Sequence, residues 1–135
     1  MAIEKLIRRT VQTLPPEATC KDAATLMSQE GIGTVVVVDG DVPLGIITDR
    51  DLVVRVMAEG RDPGKTQLQD AMSGDPILLE GDRNFDEVVR TMRNERIRRL
   101  IVVDDQGRLE GLVSSDDLLG VIAGELTDLT EAIEP

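Results

Sequence analysis

The chain has no histidine, no tryptophan and no tyrosine, and holds one phenylalanine and one cysteine among its 135 residues. Without histidine, the common general acid/base, the Ser-His-Asp and Cys-His nucleophile systems and most zinc sites are excluded. A lone Cys20 excludes an intrachain disulfide and a cysteine-rich metal site. With Phe85 as its only aromatic, the chain has almost nothing from which to build a base-stacking platform for single-stranded nucleic acid. Positive charge is also short: 15 basic against 26 acidic residues give a net charge of −11, so no nucleic-acid or anionic membrane partner is expected. No apolar run approaches the roughly 20 residues that span a bilayer. The opening Met1 to Arg9 has no continuous apolar stretch of the secretory kind, so a reducing cytoplasm is the expected location.

What remains is an aliphatic, globular composition, 41% hydrophobic and 30% charged. Its main feature is internal repetition. Ile32-Gly-Thr-Val-Val-Val-Val-Asp39 aligns with Ile97-Arg-Arg-Leu-Ile-Val-Val-Asp104 at an offset of 65, which also sets Leu14 on Leu79, Met27 on Met92 and Glu30 on Glu95. After one inserted loop residue, Gly45-Ile46-Ile47-Thr48 falls on Gly111-Leu112-Val113-Ser114, and Asp51-Leu52 on Asp117-Leu118. The chain therefore divides into residues 1–64 and 65–135, two copies of one unit.

Each unit predicts the same elements. A short apolar-periodic stretch opens it (Ile3, Leu6, Ile7; Leu68, Ala71, Met72), followed by an extended segment (Val11 to Leu14; Pro76 to Leu79). A helix follows, carried by Ala23, Ala24, Leu26 and Met27 or by Val88, Val89 and Met92. The β-branched runs Thr34 to Val38 and Leu100 to Val103 read as buried strands. Turns at Asp39–Asp41 and Asp104–Gly107 lead into second strands, Leu44 to Thr48 and Leu109 to Ser114. A last helix starts at Thr48 or Ser114, each a good N-cap. In the first copy Leu52, Val53, Val56 and Met57 are expected to form its apolar stripe. A unit of about 60 residues buries too little surface for comfortable stability alone, so the two are expected to share a core.

This order, with Gly-h-h-Thr/Ser-x-x-Asp after each hairpin (h, apolar), resembles a tandem cystathionine-β-synthase (CBS) domain pair. The carriers are Ala24-x-x-Met27, Ile32 to Asp39 and Gly45 to Asp51, then Val89-x-x-Met92, Ile97 to Asp104 and Gly111 to Asp117, with Leu68 to Pro76 opening the second motif. The resemblance implies an α/β (α+β) fold of two pseudo-symmetric β-α-β-β-α repeats packed through their sheets into one Bateman module. It implies ligand sensing rather than catalysis. The ligands would be adenosine-containing: AMP, ADP or ATP, with S-adenosylmethionine or NAD as further possibilities, and no resident cofactor. It also implies a homodimer, and a stand-alone module that signals to a separate, unidentified target protein. The alternative is a dimerisation scaffold with empty or vestigial clefts.

Thr48 and Asp51, like Ser114 and Asp117, sit three apart at a helix start. There a carboxylate can accept from a ribose diol, and the hydroxyl and free N–H groups can meet phosphate. The same pattern also describes a helix cap and nothing more. By the resemblance, one cleft combines Thr48 and Asp51 with Ile77, Leu78, Arg98 and Arg99, and is the better nucleotide site because guanidiniums supply paired donors. The other combines Ser114 and Asp117 with Gln12, Thr13, Gly33 and Thr34, and has fewer cations. Arg90, Arg93 and Arg96 read as a solvated helix face.

Further features are set aside. Gly60 to Thr66 is one residue short of a P-loop and follows a helix, so it reads as a linker. Cys20 reads as a small buried hydrophobe, and Phe85 as core. Asp49/Asp51 and Asp116/Asp117 could hold magnesium, but no motif surrounds them and no enzyme is expected. The acidic tail from Glu125 carries Leu126, Leu129 and Ile133 at helical spacing, for packing on the body or on a dimer mate.

Overall fold

The computed structural model describes residues 3–80 and 84–134. Pro135, the end of the acidic tail, lies outside the described residues. In the first repeat β1 (Thr13–Leu14), α1 (Cys20–Glu30), β2 (Thr34–Asp39) and β3 (Val42–Thr48) lead to α2 (Asp49–Asp51), which runs into a π-helical segment, Leu52–Met57. The second holds β4 (Ser73–Gly74), β5 (Leu78–Glu80), α3 (Phe85–Glu95), β6 (Arg99–Val103), β7 (Leu109–Ser114) and α4 (Ser115–Ile133). Short 3₁₀ turns at Glu4–Leu6 and Leu68–Asp70 mark the two opening stretches.

Two sheets result, ordered β1-β2-β3-β4 and β5-β6-β7. In each, the first strand runs parallel to the second, and the hairpin that follows is antiparallel. Both hairpins slip register at the same place, between Val37 and Val38 and between Val102 and Val103. Gly40 and Gly107 take the positive φ, 61° and 78°, that the hairpin turns require.

The valine-rich strands are buried on both faces, which is why they read as unbroken apolar runs rather than alternating ones. Val35 and Val37 pack under α1 with Cys20, Ala23, Met27 and Ile47. Val36, between them in sequence, points the other way and meets Ile101 and Val103 of the opposite sheet. Leu100 and Val102 complete the second helix-side core with Val88, Met92 and Val113. Three apolar layers thus hold two units that would be marginal apart.

The opening stretches cross over. Ile3 and Ile7 are buried in the second repeat's core, and Leu68 and Ala71 in the first's. Two β pairings seal the exchange. β4 adds to the edge of β3, with Ile46 opposite Ser73. Arg8 forms the matching bridge to Leu112, its N–H donating to the Leu112 carbonyl at 2.8 Å and its carbonyl accepting at 3.0 Å. Glycine is required at both crossings. A Cβ on Gly45 would lie 2.5 Å from the Ser73 carbonyl, and one on Gly111 would strike the Arg8 carbonyl.

Local sequence accounts for the helix starts. Thr19 caps α1 in a reciprocal box with Asp22, at 3.1 and 2.9 Å. Asn84 accepts from Glu87 N–H at 2.9 Å to start α3. Thr48 and Ser114 cap α2 and α4 as expected. The apolar stripe expected over Leu52, Val53, Val56 and Met57 is not formed. The segment is π-helical, with Ala58 N–H donating to Val53 O at 2.8 Å, and its longer repeat turns residues off the 3.6 spacing. Val56 is buried, whereas Val53 and Met57 are 52% and 73% exposed. The tail continues α4 to Ile133, and Leu126, Leu129 and Ile133 lie in solvent instead of on the body. Among the described residues no helix is long and apolar enough to cross a membrane.

Candidate functional site: two unequal clefts

The pseudo-twofold arrangement leaves a cleft at each end of the sheet-to-sheet contact. The first, of about 380 Å³, is walled by Ile46 and Thr48 from one repeat and by Ser73 to Ile77 and Arg96 to Arg99 from the crossing segment and the β6 entry. The second, of about 480 Å³, is walled by Arg8, Gln12, Gly33, Thr34, Arg99 and Ser114, among others. Both volumes fall in the range of small-ligand sites, roughly 300–1,000 Å³.

The first cleft brings together Thr48, Ile77, Arg98 and Arg99. Two residues expected there do not line it. Leu78 follows the strand alternation to a separate surface depression with Leu79, Glu87 and Arg90. Asp51 folds back on its own helix start. Its Oδ2 accepts from Thr48 N–H at 2.9 Å, and its own N–H donates to Thr48 Oγ1 at 3.2 Å. Oδ1 is left 3.7 Å from Arg55 Nε. A carboxylate has about four lone-pair sites, so Asp51 retains acceptor capacity.

The second cleft brings together Gln12, Gly33, Thr34 and Ser114 but leaves out Thr13 and Asp117. Thr13 is exposed on β1, paired with Val36. Asp117 accepts from Arg8 with both oxygens, Nε at 2.9 Å and Nη2 at 2.8 Å. That fork, with a smaller contribution from the Ser114 hydroxyl, holds the Asp117 carboxyl below its usual range, and Asp117 in turn raises Arg8. Arg99, expected only in the first cleft, also borders this one.

Arg96 was not expected at a site. It is the C-cap of α3, with φ 55° and ψ 46°, a left-handed conformation that glycine prefers. Its counterpart in the first repeat is Gly31, at φ 64° and ψ 38°. The only other positive-φ non-glycine among the described residues is Asp75, and both line the first cleft. The signal was present in the repeat alignment, which sets Arg96 on the glycine that ends α1. Among the described residues, the guanidiniums of Arg96, Arg98 and Arg99 make no hydrogen bond or ion pair, so three free cations border one cavity in a chain of net charge −11.

Other candidates are structural. Cys20 is fully buried, and burial pushes its thiol up, away from the reactive thiolate. Phe85 packs against the second core. The linker Gly60 to Thr66 closes on itself through Thr66 Oγ1 donating to Asp62 O at 2.8 Å. Among the described residues no group of three or more acidic or cysteine side chains is arranged to hold a metal ion.

Two β-α-β-β-α repeats joined through their sheets, with a cleft on either side, define a two-repeat ligand-binding module. A model of the CBS domain matches residues 3–58 and 68–124. The chain belongs to the CBS-domain family, as a tandem pair forming one Bateman module, and such modules are typically regulatory and non-catalytic. An uncharacterised protein of Methanopyrus kandleri is 41% identical over 122 residues, which cover 90% of this chain and 62% of that protein. The CBS domain-containing protein YhcV of Bacillus subtilis is 34% identical over 87% of this chain and 82% of its own length. Among solved structures, a CBS-domain protein from Burkholderia ambifaria has a TM-score of 0.76 and 35% identity, covering 84% of this chain and 83% of its own. A CBS-domain protein from Pyrobaculum aerophilum complexed with AMP has a TM-score of 0.78 and 25% identity, covering 87% of this chain and 90% of its own.

Proposed function

We propose that this chain senses an adenine nucleotide in the first cleft and relays its occupancy to a separate partner protein. The observation that carries the reading is the set of three unpaired guanidiniums bordering a cavity that also receives the Thr48 helix start. Guanidiniums supply paired donors for phosphate. Ile46, Ile77, Ile97 and Ile101 offer an aliphatic bed for the base. The AMP-bound Pyrobaculum relative supports the ligand class. The purified protein tests it directly. Having no Trp or Tyr, it is nearly transparent where purines absorb. Either a purine band released on denaturation, or AMP or ATP raising its unfolding temperature, is the expected result. Neither occurring at millimolar nucleotide leaves the scaffold reading.

Assembly as a homodimer belongs to the same proposal. Leu119, Leu126, Leu129 and Ile133 on α4 are each more than 60% exposed, and an apolar helix face of that length is ordinarily covered. A second copy is the occupant proposed, with sedimentation velocity expected to give twice the 14.7 kDa of the chain. Sedimentation as a monomer at micromolar concentration removes it.

Under this reading Arg96 is kept in a costly conformation for its side chain. A non-glycine residue in the left-handed region costs about 1–2 kcal/mol. Arg96→Gly is therefore expected to stabilise the fold by about 1 kcal/mol, and to weaken ATP more than AMP in titration calorimetry. Equal weakening of the two takes Arg96 off the phosphates.

A further inference from the structure

The two clefts are related by the repeat, and their carboxylates are not in the same state. Asp51 reaches back to the Thr48 N–H at 2.9 Å, closing a reciprocal capping box. Asp117 keeps one half of that box, its N–H donating to Ser114 Oγ at 3.2 Å. Its carboxylate has turned instead to Arg8, which takes both oxygens at 2.8 and 2.9 Å. The residue at the equivalent crossing of the first cleft, at the repeat offset of 65, is Ser73. Ser73 pairs with Ile46 as Arg8 pairs with Leu112, so the backbones correspond and only the side chains differ. A serine at that place has no charge with which to hold a carboxylate.

We infer that Arg8 sets how tightly the second cleft binds a nucleoside, by occupying there the carboxylate that would otherwise accept a ribose diol. The inference rests on the reading that the first-cleft counterpart, Asp51, performs that task. The geometry makes Arg8 a fitting occupant. Its fork presents two parallel N–H donors to the two carboxylate oxygens, as a vicinal diol would present two O–H donors. Its backbone is pinned to β7 on both sides, by the Arg8–Leu112 pair at 2.8 and 3.0 Å, so the side chain starts from a fixed place. Asp116, the other carboxylate of this region, lines the cavity but accepts no hydrogen bond from Arg8. The pair is half in water, with Arg8 68% and Asp117 21% exposed, so it lowers affinity without abolishing it. An exposed but bidentate pair corresponds to roughly a five- to tenfold penalty on a competing ligand. In the first cleft Asp51 has Arg55 Nε only at 3.7 Å and no bidentate fork, so that cleft fills first.

The experiment is titration calorimetry of the full chain with AMP and with 2′-deoxy-AMP, in wild type, Asp51→Asn, Arg8→Ser and Asp51→Asn/Arg8→Ser. In wild type one AMP per chain is expected in the tighter phase. Arg8→Ser is expected to tighten the second phase roughly five- to tenfold for AMP and much less for 2′-deoxy-AMP, which lacks half the diol. The double variant isolates that second site. Unchanged or weaker second-phase binding in Arg8→Ser overturns the inference, the weaker case making Arg8 a phosphate ligand. Equal gains for both nucleotides overturn it too, since a general loosening of the cleft would produce them. Failure of the underlying reading looks different: wild type and Asp51→Asn then bind AMP alike. Thermal unfolding of Arg8→Ser, expected within a few degrees of wild type, separates these outcomes from loss of fold.

Discussion

Gly45→Ala is expected to destabilise the protein by about 2–3 kcal/mol and to remove nucleotide binding in the first cleft, although Gly45 touches no ligand. Its Cβ would sit 2.5 Å from the Ser73 carbonyl and 2.7 Å from Met72 Sδ. The thioether can yield, but the backbone carbonyl cannot without breaking the β3–β4 pairing, and overpacking of this kind costs about 1–3 kcal/mol before the pairing is counted. The crossing segment that would be pushed off carries Ser73 to Ile77, one wall of the first cleft. Gly111→Ala is expected to cost a similar amount, since its Cβ would meet the Arg8 carbonyl and Ile7 Cγ2, the latter at 2.7 Å. It disturbs the wall of the second cleft and spares the first. Gly120→Ala is the control. Nothing lies within 4 Å of its Cβ and it sits inside α4, so about 0.5–1 kcal/mol of stabilisation is expected. Urea unfolding followed by circular dichroism reads all three. A Gly45→Ala protein with wild-type stability and affinity removes the close approach as the reason for glycine.

That pair of glycines illustrates which parts of the molecule were legible in advance. The repeat, its strands and its helix starts were, because each depends on residues a few positions apart. Val35, Val36 and Val37 are all buried, and a continuous apolar run reports that without naming the neighbours. Thr48 and Ser114 cap helices by contacts within three residues. The crossing of the opening stretches was not legible. The periodicity of Ile3, Leu6 and Ile7 says that a face is buried, and is silent on which repeat buries it. The Arg8–Asp117 fork joins residues 109 apart, and its signal was visible only by asking what the repeat places opposite Arg8. The place of Arg96 beside the first cleft was not legible either, for a related reason. Charge patterning sets an arginine near the end of a helix in solvent, but that rule describes a residue in helical conformation, and Arg96, the C-cap just after α3, is left-handed. The same turn of the backbone puts Arg96 on the cleft wall.

Asp51→Asn is the substitution that separates the two meanings of the Thr-x-x-Asp pattern. The amide oxygen can still accept from Thr48 N–H, so the capping box survives in outline and only the charge at the helix start is lost. That loss is worth about 0.3–1 kcal/mol, a shift of a few degrees in unfolding temperature. A ribose diol bonded to a carboxylate is a larger matter. Hydrogen bonds to charged groups contribute about 1.5–3 kcal/mol, so affinity for AMP at the first cleft is expected to fall by about ten- to a hundredfold. The effect should be smaller for 2′-deoxy-AMP. Asp51→Ala loses both functions together and so separates nothing. The decisive quantity is therefore the ratio of the two losses in the asparagine variant. A large loss of affinity with a nearly unchanged unfolding temperature makes Asp51 a ligand-binding residue that also caps. The opposite ratio makes it a cap alone. In that case the three unpaired arginines would be left as the site's sole selective element, and any polyanion of the right size should bind the first cleft as well as a nucleotide does.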